Sequence, residues 1–125
     1  MANSFGIIPV PDALKAQSTV YDLKKRLDWG EPALTIIDAR SRNDFNISRI
    51  SGAISLPVEE LVQRSMMNME LTRDIYIYSS TDEQSAAAAA QLRNAGFINV
   101  SVIRGGVSAW KASGFPIEGN PAVVA

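Results

Sequence analysis

The chain contains no cysteine and no histidine. That pair of absences removes disulfides, thiolate nucleophiles, imidazole bases and the usual zinc and copper ligands together. Asp, Glu, Lys, Tyr and Ser remain for any chemistry, and a serine nucleophile without a neighbouring base is weak. No metal site and no cofactor is expected. Long apolar runs are missing too: none approaches the roughly 18 residues that a spanning helix needs. The opening MANSFGIIPVP has neither a charged n-region nor a long apolar core, so neither secretion nor membrane insertion is indicated, and a cytoplasmic location is the default expectation. An excess of charge is also lacking. Twelve basic and thirteen acidic residues give a net charge of −1. Without a Lys/Arg block or aromatic-basic interleaving, nucleic acid and anionic membranes are not expected as partners.

What is present fits one folded domain. A chain of 125 residues can bury roughly two thirds of its unfolded surface. Hydrophobic residues at 46% against charged residues at 20% separate it from disordered and fibrous chains. Residues 1–16, with Pro9 and Pro11, are expected to form an extended N-terminal arm. The main domain is expected over 17–119 and a C-terminal tail over 120–125.

Within the domain, strand and helix patterns alternate. Ser18 or Thr19 is placed to cap a helix carrying Val20, Leu23 and Leu27 and stopping near Trp29-Gly30. Residues 34–37 are continuously apolar, as expected of a strand covered on both faces. Ser41 and Asp44 have the spacing of a short capped helix through Phe45. Residues 53–56 read as another strand, and Pro57 opens a helix to about Gln63, with Met66 to Met69 as a looser connection. Residues 75–78 form the next strand, and an alanine-dense helix over 86–94 ends at Gly96. A last strand over 100–103 and a helix around 107–111 follow, joined by Gly105-Gly106. Alternation with short connections implies a parallel α/β sheet with helices on both faces. Ligands in such sheets sit beyond the carboxyl ends of the strands.

The stretch 75–85, IYIYSSTDEQS, is such an end. A buried strand runs into a polar loop that opens a helix, where unpaired N–H groups and the helix dipole favour a negative group. Ser79, Ser80, Thr81, Asp82, Glu83 and Gln84 are therefore the candidate binding loop. Helix capping alone also explains them: Ser80 with Glu83, or Thr81 with Gln84, has capping-box spacing. The two roles can coexist.

Three segments together resemble the rhodanese-like family: Ile36-Ile37-Asp38-Ala39-Arg40 with Asp44-Phe45 and Gly52-Ala53-Ile54; residues 75–78 and their loop with Ala95-Gly96-Phe97; and Arg104-Gly105-Gly106-Val107 with Ala109-Trp110 through Gly114-Phe115-Pro116-Ile117. The resemblance implies a three-layer α/β fold on a mostly parallel five-stranded sheet. It also implies that the residue after the strand over 75–78 would carry the family's chemistry, a cysteine that accepts sulfur as a persulfide inside a loop of backbone amides. Ser79 stands in that place, and Gln84 stands where an arginine is common. Ser48-Arg49-Ile50 replaces a frequent Gly-His-Ile. A hydroxyl cannot replace a thiolate in thiol–disulfide type exchange, and glutamine removes a cationic fork.

No catalytic residue is assigned. Asp38, Arg40 and Arg104 are supporting residues, with an ion pair or backbone bond expected at Asp38 and Arg40, and Arg104 able to supply a cation to the Ser79 loop. Trp110 is expected in the core, and Met66, Met67 and Met69 as gap fillers under a loop. The expected function is a non-catalytic binding or regulatory module whose loop receives a protein partner or small anion. The alternative is a thiosulfate or persulfide sulfurtransferase inactivated by a Cys-to-Ser change. Oligomeric state is not legible.

Overall fold

The computed structural model describes residues 14–30 and 33–120. The expected arm over 1–16 and tail over 120–125 lie outside the described residues, except for 14–16 and 120. In chain order the elements are β1 (Gln17–Ser18), α1 (Val20–Asp28), β2 (Leu34–Asp38), α2 (Arg42–Ile47), β3 (Arg49–Ile50), β4 (Ile54–Ser55), α3 (Val58–Asn68), β5 (Asp74–Tyr78), α4 (Asp82–Asn94), β6 (Val100–Ile103), α5 (Gly106–Ala112) and β7 (Ile117–Glu118). β1, β6, β5, β2 and β4 line up in that order as a five-stranded sheet, and every pairing in it is parallel. β3 and β7 form a separate antiparallel pair.

The continuous apolar runs are used on both faces. Side chains alternate across a strand, so neighbours in one run enter different cores. Ile37, Ile75, Ile77, Val100 and Val102 pack with Leu61 of α3 and Ala88, Ala89 and Leu92 of α4. Ile36, Tyr76, Tyr78 and Ile103 pack on the opposite side with Leu23 of α1 and Trp110 of α5. Trp110 lies in the core as expected, and its indole N–H donates to the Pro116 carbonyl at 2.6 Å. The result is a three-layer α/β fold with helices on both faces.

Several boundaries differ from the sequence pattern. α4 begins at Asp82 rather than 86, because Thr81 caps it: its Oγ1 accepts from the Gln84 amide. Its first turn is polar and therefore showed no apolar period. α3 continues through Met66 and Met67 to Asn68, so the looser connection expected there is helical. These two methionines are exposed rather than filling gaps, whereas Met69 packs against the core. Thr19, and not Ser18, caps α1, with Asp22 completing the capping box. Ser18 lies in β1 and its hydroxyl pairs with that of Ser101 at 2.5 Å. The strand expected over 53–56 shortens to Ile54–Ser55. β1, β3 and β7 have two residues each, too few to show a period. No described helix is long and apolar enough to cross a membrane.

Candidate functional site

The ends of β2 and β5 lie side by side, with Asp38 paired to Tyr78 in the sheet register. The chain leaves β5 at Ser79, which is only 8% exposed. The Ser79 amide donates to the Ser85 hydroxyl at 2.7 Å, and that hydroxyl donates to the Thr81 carbonyl at 2.8 Å. The Gln84 amide donates to Thr81 Oγ1 at 3.1 Å, and the Ser85 amide to the Thr81 carbonyl at 2.9 Å. These bonds shape the turn into α4. The amides of residues 80–83 have no hydrogen-bond partner among the described residues. Those of Thr81, Asp82 and Glu83 are orphan donors of the kind every helix start leaves.

The two glycines after β6 let α5 press against this turn. Gly105 and Gly106 have φ of 79° and 54°, a region L side chains rarely occupy. A methyl group on Gly106 would lie 3.2 Å from the Ser79 carbonyl oxygen. The Gly105 amide donates to the Asp82 carboxylate at 2.8 Å. Asp82 is thereby turned towards the β6–α5 connection, and Glu83 is exposed. Neither lines the cavity that opens above Ser79.

That cavity has a volume of about 390 Å³. Ser79 and Ser80 form one end, Gln84, Ala87, Ala88 and Gln91 of α4 one side, and Ala39, Arg40, Ser41 and Val58 the other. No hydrogen bond is made by the Ser79 hydroxyl or by the side-chain amides of Gln84 and Gln91 among the described residues. Thr81, Asp82 and Glu83 of the expected binding loop lie outside the lining. The sequence pattern marks Ser41 only as a helix cap and assigns neither it nor Val58 nor Gln91 to the site. Gln91 carried one usable signal: seven residues separate it from Gln84, which puts both on one helix face once the helix start is known.

Asp38 and Arg40 form the wall on the β2 side. Asp38 is fully buried. It accepts from the Arg40 amide at 2.9 Å, from Nε at 3.0 Å and from Nη2 at 2.7 Å. Arg40 Nη2 also donates to the Ser48 carbonyl at 2.5 Å. Burial opposes the Arg40 charge, but its hydrogen bonds and attraction to Asp38 outweigh burial and hold the guanidinium pKa above its ordinary value. The Tyr78 ring lies beneath the guanidinium, 5.5 Å from its centre. The Tyr78 hydroxyl accepts from the Ile50 amide at 3.1 Å. Burial pushes the Tyr78 pKa up strongly, and the Asp38 charge and hydrogen bond add to it. Tyr78 is therefore a neutral donor and not a base at ordinary pH. Arg104 stands elsewhere, exposed in a groove with Tyr21, Asp82 and Gly105, outside the cavity above Ser79. No group of three acidic residues able to hold a metal ion occurs among the described residues.

Residues 19–113 match the rhodanese-like domain pattern. A sulfurtransferase from Allochromatium vinosum is 33% identical over 95 residues, covering 76% of this chain and 87% of that protein. A probable molybdopterin-synthase adenylyltransferase from Porphyra purpurea is 30% identical over 92 residues, 73% of this chain, and the chain spans only 24% of its length. The solution structure of the rhodanese-like domain of the Anabaena Alr3790 protein shares 46% identity with a TM-score of 0.84, covering 90% of this chain and 85% of that one.

Proposed function

The chain belongs to the rhodanese-like domain family, and we propose that it acts as a binding module without sulfur transfer. One observation carries this reading: the residue that lines the cavity directly after β5 is Ser79. Sulfur transfer in this family needs a thiolate that takes up a sulfane sulfur as a persulfide and releases it to a nucleophile. A serine hydroxyl forms no such persulfide. Hydrolysis by Ser79 lacks a base as well. The chain has no histidine, and Arg40, the charged side chain that lines the cavity, is tied to Asp38. The same cavity keeps hydrogen-bonding groups available to a ligand, and this supports recognition rather than turnover.

The test is sulfur transfer from thiosulfate to cyanide, measured on the chain as it stands and on Ser79→Cys. No activity is expected from the unmodified chain, and activity there would overturn the proposal. The second reading is an inactivated sulfurtransferase, which the open cavity around Ser79 and the similarity to a sulfurtransferase over 87% of its length favour. Activity in Ser79→Cys would support it. Serine at codon 79 of the source gene would end it as an engineered change.

A further inference from the structure

Resting on that reading, we propose that the cavity above Ser79 receives an uncharged, extended segment of a partner protein rather than an inorganic anion. Charge is the first ground. The one charged side chain in the lining, Arg40, is neutralised by the buried Asp38 and held by the Ser48 carbonyl. Arg42, next to the lining residue Ser41, is clamped by Glu60 through bonds of 2.5 and 3.0 Å. No free cation therefore faces the cavity among the described residues. The open amides at the start of α4 would favour an anion by themselves, but Asp82 and Glu83 occupy the first turn and already offset the helix dipole.

Hydrogen-bonding capacity is the second ground. Gln84 and Gln91 line one side with unpartnered amides. Seven residues of α-helix separate them by about 10.5 Å, and three residues of extended chain span roughly the same distance. A glutamine amide both donates and accepts, as a peptide group does, so each can pair with one peptide unit. Ala87 lies between the two glutamines, and Val58 stands across from them. A small apolar side chain fits that gap, whereas a long charged one would find no counter-charge. The Ser79 hydroxyl is a further, independent mark of a ligand. It belongs to a residue 8% exposed, lines the cavity and has no partner among the described residues.

The experiment is ¹⁵N NMR of the full chain, titrated with a pool of N-acetylated, C-amidated tetrapeptides of Ala, Gly, Ser and Val, and separately with sodium sulfate. The expected result is movement of the Gln84 and Gln91 side-chain signals and of backbone signals at residues 79, 80 and 87 with the peptides. In the double variant Gln84→Ala/Gln91→Ala, both sites being exposed, the remaining spectrum should be unchanged and peptide affinity should fall about tenfold. Sulfate moving these signals while peptides do not would overturn the inference and leave the binding reading standing. Peptide shifts absent from the cavity, or undiminished in the double variant, would overturn it too. The binding reading fails separately, through sulfur transfer by the unmodified chain.

Discussion

The ends of β2 and β5 are neighbours in one sheet and carry polar residues in similar number, yet they are built to opposite plans. After β2, Asp38 and Arg40 are closed on each other, on the Ser48 carbonyl and on Tyr78, and the carboxylate is wholly buried. After β5, the Ser79 hydroxyl and the amides of residues 80–83 have no partner among the described residues. A polar group whose bonds are complete holds a structure together, because breaking any of them strands a buried partner. One whose bonds are incomplete at a cavity wall remains available to something else. The difference separates scaffold from site more sharply than residue type does.

The comparison breaks most readily at Asp38. Asp38→Ala leaves the Arg40 charge without its carboxylate, and a loss of about 3–5 kcal/mol in urea unfolding is expected. A loss under about 1 kcal/mol would mean that the β2 end is not the lock described. Tyr78→Phe comes next. It removes the hydroxyl that accepts from the buried Ile50 amide, with an expected cost of about 1–3 kcal/mol. That variant also sharpens the comparison through pH. The folded pKa of Tyr78 is raised, so its contribution is present below the unfolded tyrosine value of about 10 and is lost as pH rises above it. Unfolding followed across that alkaline range should show the parent losing stability faster than Tyr78→Phe.

On the β5 side the expected effects are smaller. Thr81→Ala deletes the cap of α4 and should cost about 1 kcal/mol in thermal or urea unfolding. The smallest effect belongs to Glu60 of α3. Hydrogen bonds from Arg42 and then Arg64 hold its carboxyl down at about 2. A depressed carboxylate contributes above its unfolded value near 4.5 and loses that contribution as pH falls through about 2. Glu60→Gln should thus differ slightly from the parent at neutral pH and not at all at the acid end, and added salt should shrink the difference. A difference that grew on acidification would contradict the pairing.

Much of the fold was legible because its signals are local. The run 75–78 and the run 34–37 announced buried parallel strands, and Gly96 and Gly105-Gly106 marked the helix end and the tight turn where positive φ occurs. The first turn of α4 looks like loop in the sequence because Asp82, Glu83 and Gln84 show no apolar period, although Thr81 and Gln84 have the capping spacing. Met66 and Met67 show the complementary case: apolar side chains suggest burial, and only the packing of α3 leaves them facing out. At the site, the sequence points to Ser79, Ser80 and Gln84, but Ser41 and Val58 on the opposite wall stand 21 or more residues away along the chain. No spacing rule links positions so separated.

From the sequence alone came the chemistry that is absent, the alternation of strands and helices, and the identity of the residue at the end of β5. These depend on composition and on neighbours along the chain. Tertiary structure alone decided where the charges point: Asp82 towards Gly105, Arg104 into a different groove, and Arg40 inward to Asp38. Such directions follow from which distant backbone and side-chain partners the packed sheet brings within hydrogen-bond reach. They determine that the cavity above Ser79 is electrically quiet and rich in unfilled hydrogen-bonding groups.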